Sequence, residues 1–165
     1  MVGRFVPENN YELVLKSFMK SKINKKLIVV SNISSSNYYD EVKKITNCDK
    51  DNRIMFIDGI YDHEKLSTIR KNAYLYIHGH SVGGTNPSLL EALSLTNLNV
   101  LYDVNFNKDI GEESCLYFSN EKDLLKILDN IEKNDRIKLG KKCKNIINNN
   151  FTWEIIVKKY KKLFK

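Results

Sequence analysis

The sequence predicts an α/β fold of Rossmann-like type, a parallel sheet sandwiched by helices and followed by a helical C-terminus. Three observations predict it. Short apolar runs recur along the chain, helical patterns separate them, and glycines gather just after the runs. The length of 165 residues suits one domain spanning residues 1–165.

The opening run, Val2-Gly3-Arg4-Phe5, reads as the end of a strand, yet only Met1 and Val2 precede its glycine. A parallel strand usually needs about five residues. Either this strand is a stub or the chain is one piece of a longer protein, and the second reading is preferred. Lys26–Ser31 is nearly continuous and β-branched, as expected of a strand covered on both faces. Ile54–Ile57, Tyr74–His78, Asn99–Tyr102 and Cys115–Phe118 are the strands that follow. Helical spacing of apolar residues marks Tyr11–Lys20, Tyr38–Thr46, Asp62–Asn72 and Pro87–Leu95 between them. Strand and helix alternating at this interval imply right-handed βαβ units. Beyond the last strand the pattern is all-helical, over Asp123–Ile131, Arg136–Ile147 and Trp153–Phe164, with Asn148–Asn150 separating the last two and Thr152 as an N-cap.

Charge narrows the partners. The net charge is +7, from 27 basic and 20 acidic residues, but only Arg4, Arg53, Arg70 and Arg136 are arginine. Nucleic-acid readers favour arginine for bidentate contacts, so the lysine excess argues against nucleic acid and for a solvated surface, anionic lipid or a phosphorylated ligand. Apolar runs such as Leu27–Val30 are too short to span a bilayer, and the N-terminus lacks the apolar core of a signal peptide, which points to the cytoplasm. Cys48, Cys115 and Cys143 are odd in number and widely spaced, which argues against a disulfide framework or a Cys-x-x-Cys metal site.

In a parallel α/β sheet, ligands bind beyond the carboxyl ends of the strands, where helix N-termini offer free N–H groups. Two loops fit. Gly3–Asn10 combines a glycine, which permits close backbone approach, with the fixed charge of Arg4; its bland alternative is a surface turn. The second, His78–Pro87, runs from a strand into a helix with Asn86 at the N-cap and Pro87 at the first helical position. Gly83 and Gly84 precede that cap, and they let backbone amides converge on an anion. Gly59 and Gly79 also follow strands, which is equally ordinary turn chemistry. Glu91, one turn further along, is either an exposed helix glutamate or an acceptor for a vicinal diol such as ribose. His78 and His80 alternate and are expected to point to opposite sides, one of them toward a ligand or sugar hydroxyl. Neither has an evident orienting acid or thiolate, so neither a nucleophilic triad nor a metal site is expected.

Gly3-Arg4, Asp58-Gly59 and the run from Gly83 to Leu93 (Gly-Gly-Thr-Asn-Pro-Ser-Leu-Leu-Glu-Ala-Leu) together resemble the donor-binding half of family-4 retaining glycosyltransferases. The likeness covers essentially the whole chain and is strongest to bacterial rhamnosyltransferases of capsule and cell-wall polysaccharide assembly. It implies a GT-B enzyme with its active site between two Rossmann-like halves. On that resemblance Arg4, with Gly3 and the amides of Gly84, Thr85 and Asn86, would hold the donor diphosphate. Glu91 would hold the ribose, Asp58-Gly59-Ile60 the base, and His78, His80 and Gly83 would lie near the sugar. The family's lysine after the arginine is missing, since Asn9 and Asn10 stand at the nearest positions. The first glutamate of its E-x7-E pattern falls at Gly83, so that acid is absent too.

The resemblance further implies a nucleotide sugar as partner, no metal or other cofactor, and an acceptor half, absent here, that would carry the catalytic histidine. No catalytic residue is assigned to this chain, which is expected to bind donor and transfer nothing alone. In the last helix Trp153, Ile156, Val157, Tyr160, Leu163 and Phe164 form a stripe opposite five lysines. The family packs this helix on the N-terminal half. A peripheral contact with the inner face of the membrane and packing on its own domain are the rivals. The competing function is a non-catalytic Rossmann-like binding or regulatory module.

Overall fold

The computed structural model describes residues 1–164. Eight helices and five strands follow one another as α1 (Tyr11–Lys20), β1 (Leu27–Val30), α2 (Asn37–Thr46), β2 (Ile54–Ile57), α3 (His63–Asn72), β3 (Tyr76–His78), α4 (Pro87–Leu95), β4 (Asn99–Tyr102), α5 (Asn105–Gly111), β5 (Leu116–Phe118), α6 (Glu121–Asp129), α7 (Arg136–Asn150) and α8 (Trp153–Lys161). The fold class is the one the sequence predicts. All strand pairs are parallel, β1 with β2 and β4 with both β3 and β5.

Helix boundaries follow capping chemistry. Ser36, Asp62, Asn86, Asn120, Asp135 and Thr152 each place a side-chain oxygen on a free amide of the first turn, opening α2, α3, α4, α6, α7 and α8. Asn148–Asn150, read as a break in the sequence, lies within α7; the helix continues to Phe151, whose amide still reaches the Ile147 carbonyl. Helix α5 has no counterpart in the sequence reading. It is short, uncapped by a side chain and opened by Val104, so it carries none of the usual starting signals.

The core lies on both faces of the strands. Val100 and Leu101, neighbours on β4, deliver side chains to different clusters, as strand alternation requires. The larger cluster joins α1, α2 and α6, with Phe5 stacked on Tyr11 at 4.0 Å; the smaller joins α4, α5 and α7. Helices α4 and α7 pack closely because Gly140 faces the α4–β4 turn, where a Cβ would fall 2.8 Å from the Asn97 Cα.

Two features depart from the sequence reading. The expected opening strand is reduced to a single parallel bridge, Val2 to Val30, and the strands form two sheets, β2–β1 and β3–β4–β5, instead of one. Helix α8 buries none of its residues: Trp153 is 80% and Tyr160 59% exposed, so the reading in which its stripe packs on its own domain fails.

Candidate functional site

The two loops singled out in the sequence are laced together. Asn10 donates through Nδ2 to the Gly79 carbonyl at 2.7 Å, and the Ser81 amide and hydroxyl both donate to the Glu8 carbonyl at 2.9 Å. Gly79 makes this approach possible, because a Cβ there would stand 2.2 Å from the Asn9 carbonyl oxygen. Asn9 is buried and donates to the Arg4 carbonyl at 2.7 Å. Asn9 and Asn10 therefore brace the loops and leave no second cation beside Arg4.

The same rim extends sideways. The Phe5 amide donates to Asn32 Oδ1 at 3.0 Å, and Ser36 Oγ donates to the Phe5 carbonyl at 2.8 Å. Ser34 Oγ in turn donates to Asp58, whose carboxylate also accepts the Gly59 amide. These two donors hold the Asp58 carboxyl below the ordinary carboxylate range, the serine hydroxyl contributing most. Its carboxylate is thus occupied in bracing the turn, leaving the Gly59-Ile60 backbone as the surface a ligand would meet. On the other flank, buried Asn107 donates to the carbonyls of His80 and Tyr102, tying α5 to the rim.

Arg4 stands apart from the other three arginines. Arg53 ends α1, donating to the carbonyls of Phe18, Met19, Ser21 and Ile23 while paired with Asp51 at 2.7 Å. Arg70 is buried against Glu91, and Arg136 lies 3.7 Å from the Tyr74 ring centroid. Among the described residues Arg4 has no ion-pair or hydrogen-bond partner for its guanidinium, and it is exposed.

His78 and His80 do not diverge. Residues two apart on an extended chain share a face, and here the rings stack at 4.1 Å with 5° between planes. Gly3 lies against His80, where a Cβ would come 3.0 Å from Cε1. Burial pushes the His78 imidazole down to about 3, helped by the neighbouring His80 and the terminal ammonium, so it is neutral. His80 is lowered too, by burial first and then by the Arg4 charge. Both nitrogens of His78 and Nδ1 of His80 are buried without a partner.

Helix α4 starts on this rim. Asn86 accepts the Ser88 amide at 2.9 Å, and Ser88 Oγ meets the Tyr76 hydroxyl at 3.2 Å, which itself donates to the Val2 carbonyl. Tyr76 thus links the backbone just ahead of the Gly3–Asn10 loop to the first turn of α4. Gly83 takes φ 129°, a conformation suited to glycine, and a Cβ on Gly83 or Gly84 would meet open space. Val82 through Thr85 are exposed. Two cavities of the fold lie elsewhere, lined by neither Arg4 nor Thr85.

Glu91 is half-exposed and ion-paired with Arg70, whose Nη2 also donates to Ser88 at 3.0 Å. Arg70 and Asn107 escaped the sequence reading. Arg70 looks like an ordinary basic residue closing a helix, and only its burial marks it; Asn107 sits in a helix with no sequence signal.

The comparisons with known proteins agree with this architecture. Residues 1–153 match the model of the family described as glycosyl transferases group 1. An uncharacterized glycosyltransferase of Methanocaldococcus jannaschii is 30% identical over 172 residues, covering 99% of this chain and 44% of the relative. Among solved structures, HepE of Anabaena in complex with UDP superposes with TM-score 0.82 at 16% identity, over 99% of this chain and 48% of that one. Sucrose-phosphate synthase of Thermosynechococcus elongatus gives 0.83 at 19%, over 99% and 44%. The chain spans less than half the length of these relatives.

Proposed function

The chain belongs to the glycosyl transferases group 1 family, and from that membership we propose that it is the donor-binding half of a retaining GT-B enzyme. It binds a nucleoside diphosphate sugar and, completed by an upstream half with the acceptor site, serves transfer of the sugar to a polysaccharide or lipid-linked acceptor at the inner face of the membrane. The rhamnosyltransferase resemblance makes a deoxyhexose the donor sugar to try first.

In this reading Arg4 and the amides of Gly84, Thr85 and Asn86 neutralise the diphosphate, whose charge grows as the glycosidic bond breaks. A guanidinium and the start of α4 supply that compensation without a divalent ion. Glu91 accepts from the ribose hydroxyls, and the Asp58-Gly59-Ile60 turn lies against the base. His80 and Gly83 border the sugar, whereas His78, expected there from the sequence, is 1% exposed and lies stacked beneath His80, out of a ligand's reach. Stacked, neutral imidazoles suit hydroxyl recognition, since neither adds charge to the leaving group's surroundings. Helix α8, with its exposed aromatic stripe, docks on the upstream half.

The single observation that carries the reading is the lacing of the Gly3–Asn10 loop to the His78–Asn86 loop, with an unpartnered guanidinium on one and a helix start on the other. The relative solved with bound UDP supports the choice of ligand class. Calorimetric titration of the chain with dTDP-, UDP- and GDP-sugars tests it; failure of all three to bind removes it. The second reading, a module that keeps the fold without the activity, is favoured by Gly83 standing where the family has a glutamate and by Asn9 and Asn10 standing nearest the position of its lysine. Transfer by the full-length protein, assayed with a bound donor, decides between them.

A further inference from the structure

Two of the three cysteines meet inside the smaller core cluster. Cys115 stands just ahead of β5 and Cys143 within α7, 28 positions apart, and their sulfurs lie 4.0 Å from each other as free thiols. Asn99, at the start of β4, donates through Nδ2 to the Cys143 sulfur at 3.7 Å, so the pair sits at the edge of the sheet opposite the donor rim. Cys48 belongs to the larger cluster on the other face.

The surroundings are shaped to the pair. Gly111 closes α5 against it, and a Cβ there would stand 2.9 Å from the Cys115 sulfur, so the glycine leaves the room which that sulfur takes. The Ser114 hydroxyl lies 3.3 Å from the Cys143 sulfur and the Ser114 carbonyl 3.5 Å from it. The Cys143 thiol is held below its ordinary value, first by the hydrogen bond from Cys115, and the thiolate is the nucleophilic form. Cys115 is 6% exposed and Cys143 has no exposed surface, which favours an oxidant as small as a peroxide over a bulky disulfide. The sulfurs are already in contact, and closing to a bond of about 2.05 Å asks for about 2 Å of movement shared between two side chains.

We infer that Cys115 and Cys143 are a dithiol that a peroxide oxidises to an intramolecular disulfide, clamping α7 to the sheet. The Cys143 thiolate attacks one peroxide oxygen and the O–O bond breaks, leaving a sulfenic acid and a hydroxide that takes up the proton lost from Cys143. Cys115 then attacks the sulfenic sulfur. The S–S bond forms, the S–O bond breaks, and the departing oxygen leaves with the Cys115 proton as a second water. Two electrons pass from the two thiols to one peroxide, which ends as two waters. The bond closes a loop that holds β5 and α6, and it fixes the helix that packs on α4 through Gly140.

The test adds hydrogen peroxide to the native chain, alkylates the remaining thiols after unfolding and maps the peptides. The expected result is loss of two of the three thiols, a mass lower by two hydrogens, and a linked Cys115–Cys143 peptide pair with Cys48 still free to alkylate. The thermal midpoint of the oxidised chain should rise by roughly 5–10 °C, as closing a loop of this length predicts, and a dithiol reductant should return it. Cys48→Ser should behave as the parent, and Cys115→Ser should form no disulfide and show no rise. Three intact thiols, Cys48 consumed as readily as the pair, a link between two chains, or a disulfide without a higher midpoint overturns the inference. The peptide map of the unsubstituted chain decides even where Cys115→Ser fails to fold.

Discussion

Arg70, 3% exposed, pairs with the carboxylate of Glu91, which is 43% exposed. The cation is buried beneath α4 while the acid reaches the surface, so the pair fixes the carboxylate and leaves part of it open to a ligand. Arg70 thereby becomes a positioning residue for the proposed ribose contact.

Glu91→Gln keeps the shape and removes the charge. It should lower affinity for a ribonucleoside diphosphate about tenfold, in line with one lost charge-assisted hydrogen bond, and change affinity for the 2′-deoxy analogue little. It also strands Arg70, at a cost of about 1–2 kcal/mol, less than for a fully buried pair because Glu91 is partly solvated. Titration with both nucleotides and urea unfolding measure the two effects. Equal loss for ribo and deoxy ligands would remove Glu91 from the ribose.

The histidine pair predicts a pH dependence of stability. His78 has a folded-state value near 3, below the ordinary 6.5, so between those limits the unfolded chain binds the extra proton. Stability from this group is therefore complete above about 6.5 and falls as pH drops toward 3, by at most about 1.4 kcal/mol per pH unit. His78→Gln should reduce the slope of the profile between about 3 and 6.5 and leave it unchanged above 6.5, as read from urea unfolding across pH.

Much of the framework was legible because it is written in local chemistry. The five strands are short apolar runs, and Asn86-Pro87 announces α4 in two residues. Long-range lacing was not legible. Nothing in the sequence says that Asn10 reaches Gly79, or that Cys115 and Cys143, 28 positions apart, bring their sulfurs to 4.0 Å as free thiols. The histidines were misread for a different reason: alternation places residues two apart on one face, and the stacked rings obey it. The fate of each arginine depended on burial and partners, which composition does not carry.

The Gly79 approach gives a sharper test of the lacing than any polar group in it. Gly79→Ala would push a methyl into the Asn9 carbonyl oxygen, forcing the two loops apart at a cost of about 1–3 kcal/mol. Gly84→Ala meets open space, so the fold should tolerate it. Donor affinity is expected to fall in both, through displaced loops in the first and through a methyl between ligand and amides in the second. Thermal unfolding separates them, with the Gly79 variant alone losing stability.

Arg4 offers the most direct separation of binding from folding. Its guanidinium is exposed and has no partner among the described residues, so Arg4→Ala should change stability by no more than about 0.5 kcal/mol. A charged donor on a diphosphate oxygen contributes about 1.5–3 kcal/mol, which predicts a loss of roughly tenfold to a hundredfold in affinity for a nucleoside diphosphate. The nucleoside monophosphate should lose less, because it lacks the outer phosphate. If guanidinium and helix start carry the compensation, the wild-type affinity survives EDTA and weakens with added salt, as screening of an exposed charge requires. An affinity abolished by EDTA, or untouched by Arg4→Ala, would place the diphosphate elsewhere.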